Sequence, residues 1–359
     1  MENKGLLFIP DISGFTKFVN QTDIEHSRMI IQELLELLIN TNKIGLEISE
    51  IEGDAILFYK FGEAPKLEEI YKQVEAMFRE FHRHLLRYDQ HKYCQCNACL
   101  SMVGLSLKVI THYGEFTGYN VKQFSKLIGK DVIVAHQLLK NDIDQHEYWL
   151  VTQNLVYKTP PAGFTDWMKW NIGAKQTDSG EIPFHYTQLS ELRNEITPEA
   201  APEYGLTEKT KALSFIKEYD TDIITLFHAA GDFNYRNKWF VGVKSVEVPN
   251  QHLPRLGMKC KCIMDNEQEV FYSSGYTYGE DRIEFNETDE GKMFSVQYTL
   301  EKINVRRTKL TIDVFIKKGL LNKIFFGVLK KKKTEATFNQ SLENLSGFVK
   351  ELKVPSALS

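Results

Sequence analysis

Short apolar runs alternate with longer apolar stripes along the first half of the chain. Leu6 to Ile9 reads as a short buried strand that carries Asp11 to its exit. Gly14 then lets the backbone turn into a helix over Phe15 to Asn40, with Ile30, Leu34, Leu35 and Leu38 at helical spacing. Two further runs, Leu46 to Ile51 and Ala55 to Phe58, flank Gly53-Asp54 as the arms of a hairpin. A second long helix opens at Pro65 and carries Leu67, Ile70, Val74, Met77, Phe78, Phe81 and Leu85 on one stripe. Leu105 to His112 alternates as a strand ending at Tyr113-Gly114, and a short helix over Asp131 to Leu139 precedes strands at Tyr148 to Thr152 and Pro183 to Leu189.

The order βαββαβ predicts an α+β ferredoxin-like core, with both helices on one sheet face and the other face free for a partner. Glu191 to Glu208 has little periodicity and two prolines, so it separates a first domain, 1–192, by a linker, 193–208, from a second, 209–355. In the second, a short helix opened by Asp220 or Thr221 carries Ile223, Ile224 and Phe227, and an aromatic turn follows at Asn237-Lys238-Trp239-Phe240. Period-two alternation marks two strands, through Phe294, Val296, Tyr298 and Leu300 and through Leu310, Ile312, Val314 and Ile316. A helix from Gly319 to about Leu352 closes the pattern, with Leu321, Ile324, Phe325, Val328, Leu342, Leu345, Phe348 and Leu352 on its expected inner stripe.

Composition narrows the function classes. A net charge of −4 gives no global basis for a nucleic-acid surface. No signal peptide or transmembrane run is read from the apolar pattern, so a cytoplasmic protein is expected. Five cysteines without a secretory context argue against a disulfide framework. Cys94, Cys96 and Cys99 with His91, or with His112 instead, form a candidate Zn²⁺ site, against the plainer reading of reduced thiols in a surface connection; Cys260 and Cys262 form a second pair. Lys330 to Lys333, after Lys317, Lys318 and Lys323, make the closing helix locally basic, read first as a solvated face and second as a contact for acidic membranes.

Asp11 and Asp54 are the chemically informative pair. Each stands at the exit of an apolar run, and a hairpin beside the first strand would bring both carboxylates to one sheet end, where hard oxygen donors suit Mg²⁺ or Mn²⁺. Each aspartate read separately would be a helix cap or a turn residue. Together, in DISGFT and EGDAILF, they resemble the class III nucleotidyl cyclases, over about Leu6 to Leu189 and including Tyr113-Gly114 and Gly129-x-x-Val132-x-x-Ala135. That resemblance implies metal ligation by Asp11, Asp54 and the Ile12 carbonyl. It also implies that Gly14, Phe15, Thr16 and Gly53 lie along a nucleoside triphosphate, and that Glu50 and Lys126 read the purine base. Glu50 leans toward guanine, while Lys126 reverses the adenylyl arrangement, so the two are expected to pair with each other.

The family's transition-state asparagine and arginine correspond to Ile133 and Gln137. Loss of the arginine fork removes about 3 to 7 kcal/mol of charge stabilisation, so orthodox cyclisation is not expected. His136 and Lys140 are the candidate substitutes if a guanylate-leaning cyclase survives. The family also implies a homodimer with a shared site. From about Lys209 to Leu352 the pattern resembles the START-like (SRPBCC) superfamily, implying a helix-grip shape and a hydrophobic small-molecule ligand. Phe271, Tyr276, Phe285 and Tyr298 are placed inward there, as core first and as pocket lining second. A non-catalytic interaction or carrier protein remains the third reading.

Overall fold

The computed structural model describes residues 3–352 apart from 23, 93–95, 157–160, 178–179, 198–205, 207, 249–255 and 265–266. The chain divides into two compact units, Met1–Asp89 with Asn97–Glu199, and Ala200–Ser359 with Gln90–Cys96.

In the first unit the strands are β1 (Lys4–Ser13), β2 (Glu47–Glu52), β3 (Ala55–Phe61), β4 (Ser106–Glu115), β5 (Thr117–Val121), β6 (Phe124–Ile128), β7 (Tyr148–Thr152), β8 (Asn171–Thr177) and β9 (Gly180–Gln188). The helices are α1 (Phe15–Gln21), α2 (Ile24–Asn40), α3 (Leu67–His91), α4 (Asn97–Ser101), α5 (Lys130–Leu138), α6 (Gln153–Val156) and α7 (Ser190–Asn194). One seven-stranded sheet runs β2-β3-β1-β4-β7-β9-β8, and β5-β6 form a separate hairpin. Strands β2, β3, β1 and β4 are antiparallel neighbours, while β7 joins β4 in parallel.

The stripe predicted for the second long helix is the buried stripe of α3: Ile70, Val74, Met77, Phe78, Phe81 and Leu85 are all withdrawn from solvent. Each contributes about 1.5–3 kcal/mol by that burial. The helix expected as one piece from Phe15 to Asn40 is two, α1 and α2. Thr22 ends α1 in an extended conformation while its hydroxyl bonds the Phe18 carbonyl at 2.7 Å, a β-branched residue competing with the helix for its own acceptor.

The second sheet face is not free. Leu7, Ile9, Ala55, Leu57, Ile110, Leu150 and Phe184 pack against Val132, Val134, Ala135 and Leu138 of α5, while Leu6, Phe8, Ile56 and Phe58 are buried on the opposite face. The short helix at 130–138, not a partner, covers the face that the sequence left open. Polar contacts hold it at both ends. Near its start, Asp131 accepts from the Glu115 amide at 2.7 Å and meets His112 Nε2 at 2.9 Å, while His112 Nδ1 meets the Thr152 hydroxyl at 2.8 Å. At its end, Lys108 Nζ donates to the Leu139 carbonyl at 3.3 Å, a cation where the helix dipole favours one. Burial opposes ionisation of Asp131, but the His112 and Glu115 bonds prevail and hold its carboxyl below the usual range. Gly114 leaves room for this staple, since a Cβ there would stand 2.2 Å from the Asp131 carboxyl carbon.

The second unit holds β10 (Lys209–Tyr219), β11 (Ser245–Glu247), β12 (Lys259–Ile263), β13 (Gln268–Tyr278), β14 (Arg282–Asp289), β15 (Phe294–Asn304) and β16 (Arg307–Lys317). Its helices are α8 (Ile223–Gly231), α9 (Arg236–Trp239), α10 (Leu320–Phe325) and α11 (Lys331–Glu351), with a π turn over Phe326–Lys330 joining the last two. The sheet order is β10-β16-β15-β14-β13-β12-β11, antiparallel throughout. The alternation read in β15 and β16 is found: Val296, Tyr298, Leu300, Leu310, Ile312 and Val314 turn inward against Phe338, Leu342, Leu345 and Val349 of α11. The cap of α8 is Asp222, whose carboxylate accepts from the Thr225 amide at 2.9 Å, two residues beyond the first candidate and one beyond the second.

The closing helix departs furthest from its pattern. Leu321, Ile324, Phe325 and Val328, expected inside, are exposed, and the inner stripe begins only at Phe338. Periodicity identifies an apolar stripe but not what covers it.

Candidate functional site

Strand register builds the aspartate pair. Asp11 lies opposite Ala55 of β3 and opposite Lys108 of β4, on the face that also carries Leu7 and Ile9. Asp54 precedes Ala55 in a two-residue turn, and its carbonyl accepts from the Ile12 amide at 3.0 Å. That turn has positive φ at Gly53, 61°, and not at Asp54, the type II′ pattern that suits the twist of β2 and β3. Asp11, Ile12 and Asp54 therefore come together at one corner of the sheet.

Two carboxylates at a half-buried corner oppose each other's ionisation. Burial first, and the charge of Asp11 second, push Asp54 up to about 6 from an ordinary 3.8. Burial also raises Asp11, opposed by the Lys108 charge, its hydrogen bond and, more weakly, His146. Lys108 Nζ stands 3.3 Å from Asp11 Oδ1, with both side chains largely buried. Sequence reasoning missed this lysine, although a lysine midway through the apolar run Leu105 to Ile110 was a signal available to it. Lys108 neutralises one carboxylate and leaves the pair one positive charge short. The corner thus has the donor chemistry for a hard divalent cation, with an ammonium already in attendance.

Glu50 and Lys126 form a second cluster. The Lys126 ammonium pairs with Glu50 Oε2, as the sequence anticipated. His136 adds to it, Nε2 at 3.7 Å from Glu50 Oε1 and Nδ1 at 3.8 Å from Glu52 Oε2. His136 is thereby engaged by two acids, while Lys140 is exposed beyond the end of α5. Gly14 caps α1 with φ of 90°, Phe15 and Thr16 are the first helical residues, and a Cβ on Gly53 would lie 3.7 Å from the Phe15 ring. Ile133 is exposed on α5 and Gln137 half-buried.

Of the zinc candidates, Cys94 and the His91 side chain lie outside the described residues. Cys96 and Cys99 are buried, and Cys99 Sγ accepts from the Tyr88 hydroxyl at 3.0 Å. His112 does not serve as the fourth ligand, because both its ring nitrogens are committed to Thr152 and Asp131. Among the described residues no group of three or more His, Cys, Asp and Glu converges as a metal site.

In the second unit Phe285 and Tyr298 are buried core, while Tyr276 and Phe271 are half-buried. Phe285 and Tyr298 stack at 4.4 Å, and Phe227 packs on Phe285 at 5.6 Å and on Tyr276 at 5.8 Å. Beside them lies an ion pair with no motif to announce it. Arg236 bonds Glu287 and donates to the Tyr298 hydroxyl at 3.1 Å, with both charged groups buried. Its guanidinium lies over Trp239, Phe233 and Phe240 at 5.2, 5.4 and 5.5 Å. Cys260 and Cys262, two apart on β12, bring their sulfurs to 3.7 Å.

A family model described as a protein of unknown function (DUF2652) matches residues 31–148. The uncharacterized protein Rv2561/Rv2562 of Mycobacterium tuberculosis is 31% identical over 120 residues, 33% of this chain and 56% of its own length, so the match spans about half of that relative. Among solved structures, the catalytic core of a rhodopsin-guanylyl cyclase with converted specificity, in complex with ATPalphaS, is 11% identical with a TM-score of 0.38, covering 52% of this chain and 96% of its own. The adenylyl cyclase CyaB from P. aeruginosa is 15% identical with a TM-score of 0.35, covering 51% and 93%. A START superfamily protein from Mycobacterium smegmatis is 14% identical with a TM-score of 0.30, covering 40% of this chain and 100% of its own.

Proposed function

We propose that the first unit is a divergent class III cyclase-like domain that binds a divalent cation and a purine nucleoside triphosphate without orthodox cyclisation. The observation that carries this reading is the meeting of Asp11 and Asp54 at one sheet corner, with Asp54 raised to about 6 by burial and by its neighbour's charge. When bound, the cation would neutralise phosphate charge. Asp11, Asp54 and the Ile12 carbonyl would hold it, and Lys108 would give up its place beside Asp11. Glu50 and Lys126 satisfy each other, so a purine must part them to be read. Ile133 offers no hydrogen bond and Gln137 no charge, which is why binding is expected without turnover.

A homodimer fits the apolar groove of about 480 Å³ along α1 and α2, lined by Phe15, Val19, Ile24, Ile31, Leu35 and Ile51 among others. For the second unit the helix-over-sheet arrangement supports a START-like fold and a hydrophobic ligand, whose entry would require the aromatic stack at Phe285 and Tyr298 to open.

Calorimetric titration with GTP and ATP in Mn²⁺, followed by chromatography for cyclic products, tests the reading. Saturable binding with no cyclic nucleotide is the expected outcome. Cyclic product would instead establish an active cyclase in which His136 or Lys140 replaces the lost groups, and no binding of either nucleotide would leave both units as interaction modules.

A further inference from the structure

The segment between the last strand and the long helix presents an apolar face that none of the described residues covers. Leu320, Leu321, Ile324, Phe325, Val328 and Leu329 are between 55 and 82% exposed, in a chain whose other large apolar side chains are mostly withdrawn. Their spacing, two adjacent residues repeated every fourth position, puts all six along one helical face. Four residues overshoot one turn of an α-helix, so such a stripe drifts around α10. The wider π turn at Phe326–Lys330 undershoots instead and brings the second half of the stripe back into line. Among the described side chains of residues 319–333, Phe326 is the buried one.

We propose that this face is an interfacial anchor for a bilayer containing anionic lipid. Exposed lysines stand at both ends of the stripe, Lys317 and Lys318 before it and Lys330 to Lys333 after it, and residues 317–333 contain no acidic residue. That concentration of positive charge runs against the net charge of −4 of the whole chain, so it is a local feature. Apolar side chains on one face with lysines beside them match a headgroup–acyl boundary, where the first enter the acyl region and the second meet lipid phosphates and carboxylates. A peptide groove would need acids of its own to match the lysines, whereas an anionic leaflet offers them as a continuum. The element lies on a membrane and does not cross it: no helix among the described residues is long and apolar enough to span one.

Co-sedimentation of the full chain with phosphatidylcholine vesicles, with and without phosphatidylserine, tests the anchor. Binding to the serine-containing vesicles, weakened by salt, is expected, with little binding to phosphatidylcholine alone. The double variant Leu321→Glu/Phe325→Glu should lose roughly tenfold or more in partitioning. Replacing Lys330 to Lys333 with alanine should lose roughly several hundredfold, at about fivefold per lysine. These side chains are exposed, so the variants should melt with the parent. Absence of vesicle binding, binding that ignores both sets of substitutions, or self-association abolished by Leu321→Glu/Phe325→Glu without vesicle binding would each overturn the proposal.

Discussion

Replacing Glu287 with alanine should destabilise the second unit by about 3–5 kcal/mol, because it strands a guanidinium in the core. Arg236 and Glu287 are 5 and 3% exposed, and the arginine is walled in by Phe233, Trp239 and Phe240. Burial pushes the Glu287 carboxyl up while Arg236 opposes it, and the Tyr298 hydroxyl takes a third place in the network. Removing the acid leaves the cation with the neutral Tyr298 hydroxyl and no counter-charge in a region where water does not reach. Removing both charges together is a different experiment. Arg236→Met with Glu287→Leu should recover most of the loss, since the desolvation cost of the pair disappears with it. Urea unfolding followed by far-ultraviolet circular dichroism reads both. A single variant that loses less than about 1 kcal/mol would mean that solvent or another acid satisfies Arg236.

Asp54→Asn should stabilise the metal-free protein at neutral pH. A carboxyl raised in the folded state disfavours folding once it ionises; this burden is absent below the unfolded value, 3.8, grows as pH rises, and is complete above about 6. At about 1.4 kcal/mol per pH unit the raise corresponds to at most about 3 kcal/mol, and the half-exposed position screens this to about 1 kcal/mol. The first unit should therefore melt roughly 2–4 °C higher in the variant at pH 7.5 and at the same temperature as the parent at pH 4. Saturating Mn²⁺ should reverse the order, since a cation at a hundred times its dissociation constant adds about 2.7 kcal/mol to the parent alone. A variant that melts lower than the parent without metal would show that Asp54 is a structural turn residue.

The sequence predicts structure where the physics is local. The strand carrying Asp11, the hairpin at Gly53-Asp54, the stripe of α3 and the alternation of β15 and β16 all follow from periodicity and turn chemistry. What escaped is set by register between distant segments. Lys108 reaches Asp11 only because β1 and β4 pair in one register, and Arg236 meets Glu287 across 51 residues of chain. The covering of the second sheet face by α5 depends on the Asp131–His112 staple, which no spacing rule reveals. The stripe at Leu320 to Leu329 shows the opposite error: its pattern was plain, but amphipathicity does not say whether the apolar side meets a core or remains outside.

Titration of the purified chain with Mn²⁺, followed by the paramagnetic signal of the unbound ion, tests most directly whether Asp11 and Asp54 jointly hold a cation. One saturable site is predicted, weakening as pH falls below about 6 where Asp54 takes up its proton. Asp11→Asn and Asp54→Asn should each weaken it by roughly a hundredfold or more. A chain that binds no Mn²⁺ at pH 7.5, or one whose site survives both substitutions, would contradict that joint ligation.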